Sequence, residues 1–406
     1  MDIRIKPGKL SGAVTPPPSK SMAHRLIIAA ALSRGVSTLR HVAFSKDIEA
    51  TLRCMEALGA EWSRLPEDAI QVRGIQTRTA GDLPHFDCGE SGSTLRFLIP
   101  IALAVAGGGV FTGQGRLMER PQQPYFDLFD EKGISWQQEN GALTVRGQLT
   151  PGEYRLPGNV SSQFFTGLLF ALALLDGDST VVSTTALESA DYIGMTINAM
   201  QTAGVPVAAQ WGQRRFTVTP IPYRPFDGTV EADWSQAGFW YAAGFLDNQI
   251  QLQGLDPLSA QGDKVISELY WRLASPGDAE IDLSGCPDLL PPLAVMAAVR
   301  GGTTRFVNAA RLRMKESDRL ATAAALLTAL GGQAEEGPDS LTVHGVPALT
   351  GGTVDGANDH RIVMAAAIAA TSCSVPVTIL GAEAVSKSYP NFWEEYQRLG
   401  GVIHVL

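Results

Sequence analysis

The sequence predicts an α/β protein of two similar domains, built from six repeats that each combine helices with short strands. Six apolar helical runs begin in the same way at similar intervals along the chain. Short strand-like segments with turn residues lie between these runs, and more amphipathic helices recur beside them. Three repeats precede about residue 225 and three follow it, so the chain divides naturally into two halves.

The six apolar runs share a small or polar start followed by residues rich in Ala, Leu and Gly. Their starts lie roughly 70 residues apart, with one shorter interval of about 55, which is typical of repeated supersecondary units. Runs this apolar suit helices that are buried on most faces. They are PSKSMAHRLIIAAAL from Pro18, GESGSTLRFLIPIALAV from Gly89, GNVSSQFFTGLLFALALL from Gly158, DWSQAGFWYAAGFL from Asp233, CPDLLPPLAVMAAV from Cys286 and DGANDHRIVMAAAIAAT from Asp355.

The segments between the runs supply the strands and the second helix of each repeat. The strand-like segments include STLRHV, AIQVRG, GALTVRG, RRFTVTP, TTRFVNA and SLTVHG. DIEATLRCMEALGA and ESDRLATAAALLTALGG are amphipathic, and the Gly near the end of each fits a helix stop. We therefore expect helices and strands to follow one another in a similar order in every repeat.

Composition limits the classes of function. The 406 residues carry a net charge of −9, which disfavours nonspecific nucleic-acid binding, so any anion site needs a local concentration of cations. The four cysteines are scattered without CxxC or zinc-type spacing, as expected for core thiols in a reducing compartment. The N-terminus has no signal-peptide pattern, and the longest apolar stretch is too short to cross a bilayer. We expect a cytoplasmic protein without a nucleic-acid or membrane partner.

Cations stand at helix starts, where the helix dipole favours acids. Lys20 and Arg25 follow the Ser19 cap of the first apolar run, at a cost of roughly 0.3–1 kcal/mol each. Several helix N-termini pointing toward one cleft would create a field suited to anions. The placement of Lys20 and Arg25 is therefore explained if a bound anion sits above them.

Other segments show the same pattern, and each also has an ordinary structural explanation. An incidental Arg or Lys, a serine cap or a solvated ion pair would account for most of them singly, and N-cap duty would account for Asp288. Together they indicate a binder of small phosphorylated anions, because convergent cations recognise phosphate and carboxylate. The sequence has no metal-ligand cluster and no cofactor fingerprint, so neither is expected. The segments are GESGSTLR, NVSSQFF, NDHR, RLRMKESDR, GRLMERP, VSKSYP and GCPDLLPP.

The chain resembles the enolpyruvyl transferases. The matching stretches are PSKSMAHR, GESGSTLRFL, GQGRLMERP, VSSQF, ESADYI, MKESDR, NDHR and SKSYPNF, in the family's order from residue 18 to about 393. The resemblance implies two similar domains of three βαβαββ units each, with the active-site cleft between them. It places the first domain at 15–225 and the second at 1–14 plus 226–406, with hinges near 12–20 and 220–230.

The resemblance also implies a reaction: transfer of the enolpyruvyl group of phosphoenolpyruvate to the 5-hydroxyl of shikimate 3-phosphate, without metal, by a monomeric enzyme of aromatic amino acid biosynthesis. Asp288 would be the base for the hydroxyl, while Glu316 and Lys20 would handle protons at the methylene carbon. The residues implied to bind shikimate 3-phosphate are Lys20, Ser21, Arg25, Ser161, Ser162, Gln163, Ser189, Asp288 and Lys315. Those implied to bind phosphoenolpyruvate are Lys20, Gly92, Arg116, Gln163, Arg319, Arg361 and Lys387.

Some positions depart from the family pattern. ESADYI lacks the Lys-Pro that usually follows the serine, which makes Ser189 less secure than Ser161. Ser93 and Phe97 stand where many relatives have Thr and Pro, and sensitivity to glyphosate-type inhibitors stays open. Arg311 stands where many relatives have Asn, so it is left out of the site.

Three alternatives remain. A transferase acting on UDP-N-acetylglucosamine would carry a loop cysteine within TGQGRLMERP, and no Cys lies there. A catalytically silent sensor of phosphorylated ligands on the same fold would be favoured by loss of an acid or a phosphate-binding cation, yet these are present. An RNA-end cyclase-like protein is disfavoured by the acidic net charge.

Overall fold

The computed structural model describes residues 1–76 and 82–406, which form two compact units. The N-terminal unit comprises Pro18–Glu231. The C-terminal unit comprises Met1–Pro17 together with Ala232–Leu406, so the chain passes from one unit to the other twice.

The helices are of two alternating kinds. The odd-numbered ones are buried along most of their length, as the apolar runs predict, and the even-numbered ones are more exposed. In the N-terminal unit the helices are α1 Lys20–Leu32, α2 Lys46–Ala57, α3 Gly92–Ala106, α4 Gln123–Lys132, α5 Ser162–Leu172 and α6 Ala190–Thr202. In the C-terminal unit they are α7 Trp234–Phe245, α8 Ile266–Ala274, α9 Leu290–Val299, α10 Arg319–Ala329, α11 His360–Ala370 and α12 Phe392–Arg398.

The strands are short, three to five residues each. Up to the end of the N-terminal unit they are β1 Ile3–Lys6, β2 Ser11–Val14, β3 Val36–Arg40, β4 Glu61–Leu65, β5 Ala69–Arg73, β6 His85–Asp87, β7 Gly108–Thr112, β8 Ser135–Glu139, β9 Ala142–Arg146, β10 Glu153–Leu156, β11 Ser179–Ser183, β12 Val207–Gln210, β13 Arg215–Val218 and β14 Asp227–Thr229. The remainder are β15 Gln249–Leu252, β16 Ala279–Asp282, β17 Thr303–Val307, β18 Gln333–Glu336, β19 Leu341–His344, β20 Thr353–Asp355, β21 Val377–Leu380 and β22 Val402–Val405.

The described residues of the N-terminal unit form three four-stranded sheets with the same spatial strand order. Their strand orders are β14-β3-β5-β4, β6-β7-β9-β8 and β10-β11-β13-β12. In each sheet the first pair is parallel and the next two pairs are antiparallel. In the second and third sheets a helix connects the two parallel strands, as a parallel crossover requires, whereas β14, the parallel partner of β3, comes from the end of the unit. The second and third repeats are therefore continuous βαβαββ units, and the first has the same α/β arrangement with β14 as its outer strand.

The C-terminal unit repeats this plan with one shorter member. The sheets β16-β17-β19-β18 and β20-β21-β1-β22 have the same order, with β1 supplied by the start of the chain. The sheet formed by β2 and β15 has only these two strands, which are parallel. Between α8 and β16 lie only residues 275–278, too few for two further strands.

The close packing of α5 against α3 depends on a glycine. Gly167 allows α5 to approach α3, because an added Cβ would lie 2.5 Å from the Arg96 carbonyl oxygen and 2.5 Å from the Tyr125 hydroxyl. Side-chain caps begin these helices: Ser19 for α1, Ser91 for α3 and Asp359 for α11. In the described part of the chain, no helix is long and apolar enough to span a membrane.

Candidate functional site

Lys20 begins α1 and forms an ion pair with the first turn of α2. Its Nζ lies 2.6 Å from Asp47 Oδ2, and the two side chains are only 15% and 10% exposed. No acid occupies the first turn of α1, whereas Asp47 sits in the first turn of α2, where the dipole favours it. Asp47, a partner that sequence reasoning missed, therefore orients the side chain of Lys20.

Arg25 is 1% exposed and ties α1 to α5 and α6. Its guanidinium donates to Thr196 Oγ1 (2.9 Å), to Thr166 Oγ1 (3.3 Å) and to the carbonyls of Ser21 (2.7 Å) and Tyr192 (3.0 Å). Burial lowers the pKa of Arg25 to about 10, which leaves it protonated at neutral pH. A guanidinium has five N–H donors, and these four contacts engage most of those of Arg25 with groups of the N-terminal unit.

Gly92 begins α3 beneath the guanidinium of Arg120. A Cβ at Gly92 would lie 2.7 Å from Arg120 Nη1, so only glycine permits this approach. Arg120 is 8% exposed, and its Nε makes no hydrogen bond to any described residue. A buried guanidinium with an unused donor at a helix N-terminus is suited to holding an anion.

Gln163 joins the starts of α3 and α5. Its Oε1 accepts from Arg96 Nη1 at 2.9 Å, and its Nε2 donates to Ser93 Oγ at 3.0 Å. Ser161 caps α5 by accepting from the Gln163 backbone N–H at 3.3 Å, and Ser162 follows, 6% exposed. The predicted donors of this segment thus lie beside the start of α3.

Ser189 and Arg116 are placed differently from the rest of the predicted set. Ser189 precedes α6 with φ 51° and ψ 46°, a left-handed conformation uncommon for serine, and is 3% exposed. The side chain of Arg116 is 49% exposed, and its Nε lies 3.9 Å from Glu119 Oε2. Arg120, four residues later in the same segment, is the buried cation.

The C-terminal unit gathers its predicted residues around Asp288. One carboxylate oxygen of Asp288 lies 2.8 Å from Arg319 Nη1 and 3.3 Å from Lys315 Nζ, and the other lies 3.2 Å from Arg361 Nη2. Asp288 lies in a single helical turn just before α9, and the two arginines lie in the first turns of α10 and α11. Three helix starts therefore contribute to one cluster.

Arg319 is the centre of this cluster and is 1% exposed. Besides Asp288, its guanidinium contacts Asp359 Oδ2 at 2.8 Å and Glu316 Oε2 at 2.7 Å. Asp359 is fully buried; it accepts from Ser317 Oγ at 2.9 Å and caps α11 through the Arg361 N–H at 3.0 Å. These contacts orient Arg319.

The charges in this cluster shift each other's pKa values. Burial by itself raises the pKa of Asp288, but Arg361, Lys315 and Arg319 hold it well below its usual range. Burial lowers the pKa of Lys315, with Asp288 opposing. Burial also lowers the pKa of Arg319, but the carboxylates of Asp359, Glu316 and Asp288 outweigh it and raise that pKa.

Lys387 and Arg311 are two further buried cations of the C-terminal unit. Lys387 is 3% exposed and its Nζ donates to the Asn358 carbonyl at 2.6 Å, next to the start of α11. Arg311 is 8% exposed and donates to the Ser284 carbonyl. Residues 1–76 and 82–406 contain no group of three His, Cys, Asp or Glu side chains arranged for a metal ion.

Sequence reasoning missed Asp47, Asp359 and Arg120. Asp47 and Asp359 resemble ordinary first-turn or capping acids, and only the fold brings them to Lys20 and Arg319. Arg120 stands before a Pro in an irregular segment, which favoured a structural interpretation. Its proximity to Gly92, a glycine at a helix start, could have been suspected only from the fold.

Comparison with known proteins gives a consistent result. Residues 5–396 match the profile of the family described as EPSP synthase (3-phosphoshikimate 1-carboxyvinyltransferase). The protein named 3-phosphoshikimate 1-carboxyvinyltransferase in Clostridium acetobutylicum is 43% identical over 99% of this chain and 98% of its own length. That of Clostridium novyi is 41% identical with the same coverage.

Solved structures share the fold. EPSP synthase from Acinetobacter baumannii superimposes with a TM-score of 0.80 at 23% identity, covering 99% of each chain. The enolpyruvyl transferase NikO from Streptomyces tendae gives 0.81 at 18% identity, covering 99% of this chain and 98% of its own.

Proposed function

Because the chain belongs to the EPSP synthase (3-phosphoshikimate 1-carboxyvinyltransferase) family, we propose that it transfers the enolpyruvyl group of phosphoenolpyruvate to the 5-hydroxyl of shikimate 3-phosphate. Phosphate is released, and the reaction belongs to the shikimate pathway of aromatic amino acid biosynthesis. Both substrates carry phosphate and carboxylate, which are the groups that buried arginine and lysine clusters recognise.

The observation that carries the proposal is the arrangement of Asp288, whose carboxylate contacts Lys315, Arg319 and Arg361. In the absence of substrate the acid neutralises these cations. A substrate anion that binds to Arg361 and Lys315 would draw them away from Asp288. The carboxylate then loses part of its stabilisation, its pKa rises, and it becomes a better proton acceptor.

The chemistry follows by addition and elimination. A proton is delivered to the methylene carbon of phosphoenolpyruvate by Glu316 or Lys20, and the cationic centre formed at the adjacent carbon is attacked by the 5-hydroxyl oxygen. Asp288 takes the hydroxyl proton. Loss of a methyl proton and of phosphate from the tetrahedral intermediate then restores the double bond. Nearby carboxylates stabilise the developing cation.

The remaining assignments divide by substrate. We assign shikimate 3-phosphate to the hydroxyl and amide donors at the starts of α5 and α6, together with Lys20, Ser21, Arg25, Asp288 and Lys315. We assign phosphoenolpyruvate to the start of α3 and the cations Lys20, Arg116, Arg319, Arg361 and Lys387, with Gln163 beside them. Arg120 joins this second set because its guanidinium lies against Gly92 with Nε unbonded.

The alternatives are less well supported. No Cys lies within residues 112–121, where the UDP-N-acetylglucosamine enzyme would carry one. A catalytically silent sensor would not need two acids beside Arg319. Asp288 and Glu316 lie 2.8 Å and 2.7 Å from the nitrogens of its guanidinium. The four cysteines are free thiols, which supports a reducing, cytoplasmic location. We expect a monomer.

The test is phosphate release from phosphoenolpyruvate without added metal, with shikimate 3-phosphate or UDP-N-acetylglucosamine as acceptor. We expect phosphate release when shikimate 3-phosphate is the acceptor and none when UDP-N-acetylglucosamine is the acceptor. Phosphate release only with UDP-N-acetylglucosamine would show that the acceptor is the nucleotide sugar. Binding of both substrates without release would favour the sensor.

A further inference from the structure

A chain of hydrogen bonds connects His24 of α1 to the first residue before α3. His24 is fully buried, and its Nδ1 lies 2.7 Å from Thr51 Oγ1 in α2. Thr51 Oγ1 lies 2.7 Å from Thr94 Oγ1, which lies 2.7 Å from Ser91 Oγ. Ser91 is the cap of α3 and also accepts from the Thr94 backbone N–H at 3.2 Å. The four side chains thus form one line of contacts.

Each hydroxyl has a single hydrogen to donate, so only two proton arrangements satisfy all three contacts and also use both threonine hydrogens. In the first, His24 donates from Nδ1 to Thr51, Thr51 to Thr94, and Thr94 to Ser91. In the second, every bond is reversed and His24 carries its proton on Nε2. A doubly protonated His24 is disfavoured because burial, followed by Lys20 and Arg25, lowers the pKa of His24 well below its usual value.

The surroundings of His24 Nε2 select the first arrangement. This nitrogen is buried and has no hydrogen-bond partner among the described residues. The second arrangement would leave an N–H donor unpaired there, and orphaned buried N–H groups are rare. Lys20 and Arg25 make the surroundings positive, which also favours a lone pair over an N–H at this nitrogen.

The first arrangement leaves the hydroxyl hydrogen of Ser91 free to bind another group. Ser91 Oγ accepts from Thr94 twice, and its own hydrogen has no acceptor in residues 1–76 and 82–406. Ser91 is 1% exposed and precedes Gly92, over which the buried Arg120 guanidinium lies with Nε unbonded. An O–H donor and a guanidinium donor are therefore both available at the start of α3.

We propose that His24 is a positioning residue that, through Thr51 and Thr94, turns the Ser91 hydroxyl hydrogen toward an anion bound at the start of α3. The inference rests on the proposed function, in which that anion is the phosphate group of phosphoenolpyruvate. Ser91 and His24 themselves belong to none of the assignments made above. Pre-orienting the hydroxyl spares the ligand the cost of ordering it.

The first experiment compares Thr51→Val with Thr51→Ser. Valine keeps the shape of threonine and breaks the line of bonds, whereas serine keeps the hydroxyl. Calorimetric titration with inorganic phosphate should give a Kd about tenfold higher for Thr51→Val, and steady-state kinetics should give a KM for phosphoenolpyruvate raised by a similar factor. Thr51→Ser should stay within about twofold of the unsubstituted protein. Ser91→Ala should reproduce the loss, with the Kd of shikimate 3-phosphate alone unchanged.

Equal Kd values in Thr51→Val and the unsubstituted protein would overturn the proposal, as would equal weakening by both Thr51 substitutions. A second readout does not depend on binding or turnover: the ¹⁵N shifts of His24 report its tautomer. A proton on Nδ1 is expected, and a proton on Nε2 would overturn the inference. If the protein releases no phosphate from phosphoenolpyruvate, the proposed function fails, while the tautomer and the inorganic phosphate titration still decide this inference.

Discussion

Replacing Arg319 by Met should unfold the C-terminal unit at a markedly lower temperature. The side chain is 1% exposed and contacts Asp288, Glu316 and the fully buried Asp359. Methionine fills a similar volume but leaves these carboxylates without their shared cation. Removing one partner of a buried ion pair costs about 3–5 kcal/mol, which for a domain of about 150–250 residues lowers Tm by roughly 6–20 °C.

The matched control is Arg305→Met in the same unit. Arg305 forms a single ion pair with Glu280 at 3.2 Å, and both side chains are more than half exposed. Exposed pairs contribute about 0–1 kcal/mol, so its Tm should change by only a few degrees. Calorimetric scans should resolve the two units. An Arg319→Met transition no lower than that of Arg305→Met would refute the claim that Arg319 holds the buried acids together.

Further predictions concern substrate binding and pH. Gly92→Ala should displace the Arg120 guanidinium, because the new Cβ would lie 2.7 Å from Nη1. We expect the KM for phosphoenolpyruvate to rise about tenfold in steady-state kinetics, with the Kd of shikimate 3-phosphate nearly unchanged in a titration. An unchanged KM with a raised Kd would contradict this prediction. Asp288 has a folded-state pKa below its unfolded value, so its stabilisation is present above about pH 4 and is lost as pH falls through the folded pKa. The Tm of Asp288→Asn should therefore fall less between pH 6 and pH 3 than that of the unsubstituted protein, and an equal fall would contradict this assignment. Asp47→Asn should raise the KM for phosphoenolpyruvate by less than Lys20→Met does, because Asp47 orients the lysine whereas Lys20 is assigned to the substrate. Equal or reversed effects on KM would contradict the assignment of Lys20 to the substrate.

The repeats were predictable because buried helices need long apolar runs, and these are visible without any tertiary information. The short fourth repeat was not, since β2 and β15 look like other strands and only the pairing reveals that two partners are missing. The start of α1 was likewise predictable from its Ser19 cap. Which strands pair with one another across the chain depends on tertiary packing, which the pattern of residues along the sequence does not show.

For the candidate site, the sequence indicated which residue types matter better than which atoms meet. Cations at helix starts identified Arg319 and Arg361, and the structure brings both to Asp288. Arg25 shows the same pattern, yet its guanidinium is bonded to Thr196 and other groups within the unit. A buried arginine needs partners, and whether these are substrate or protein is decided by the fold.

The most direct test of the central claim is ³¹P NMR of the protein mixed with equimolar phosphoenolpyruvate and shikimate 3-phosphate, without added metal. The phosphoenolpyruvate signal should be replaced by that of inorganic phosphate, in proportion to a new signal from the modified acceptor. With [3-¹³C]phosphoenolpyruvate, the product should carry a labelled vinyl carbon. Unchanged signals despite binding of both substrates would contradict it, and so would inorganic phosphate without a modified acceptor.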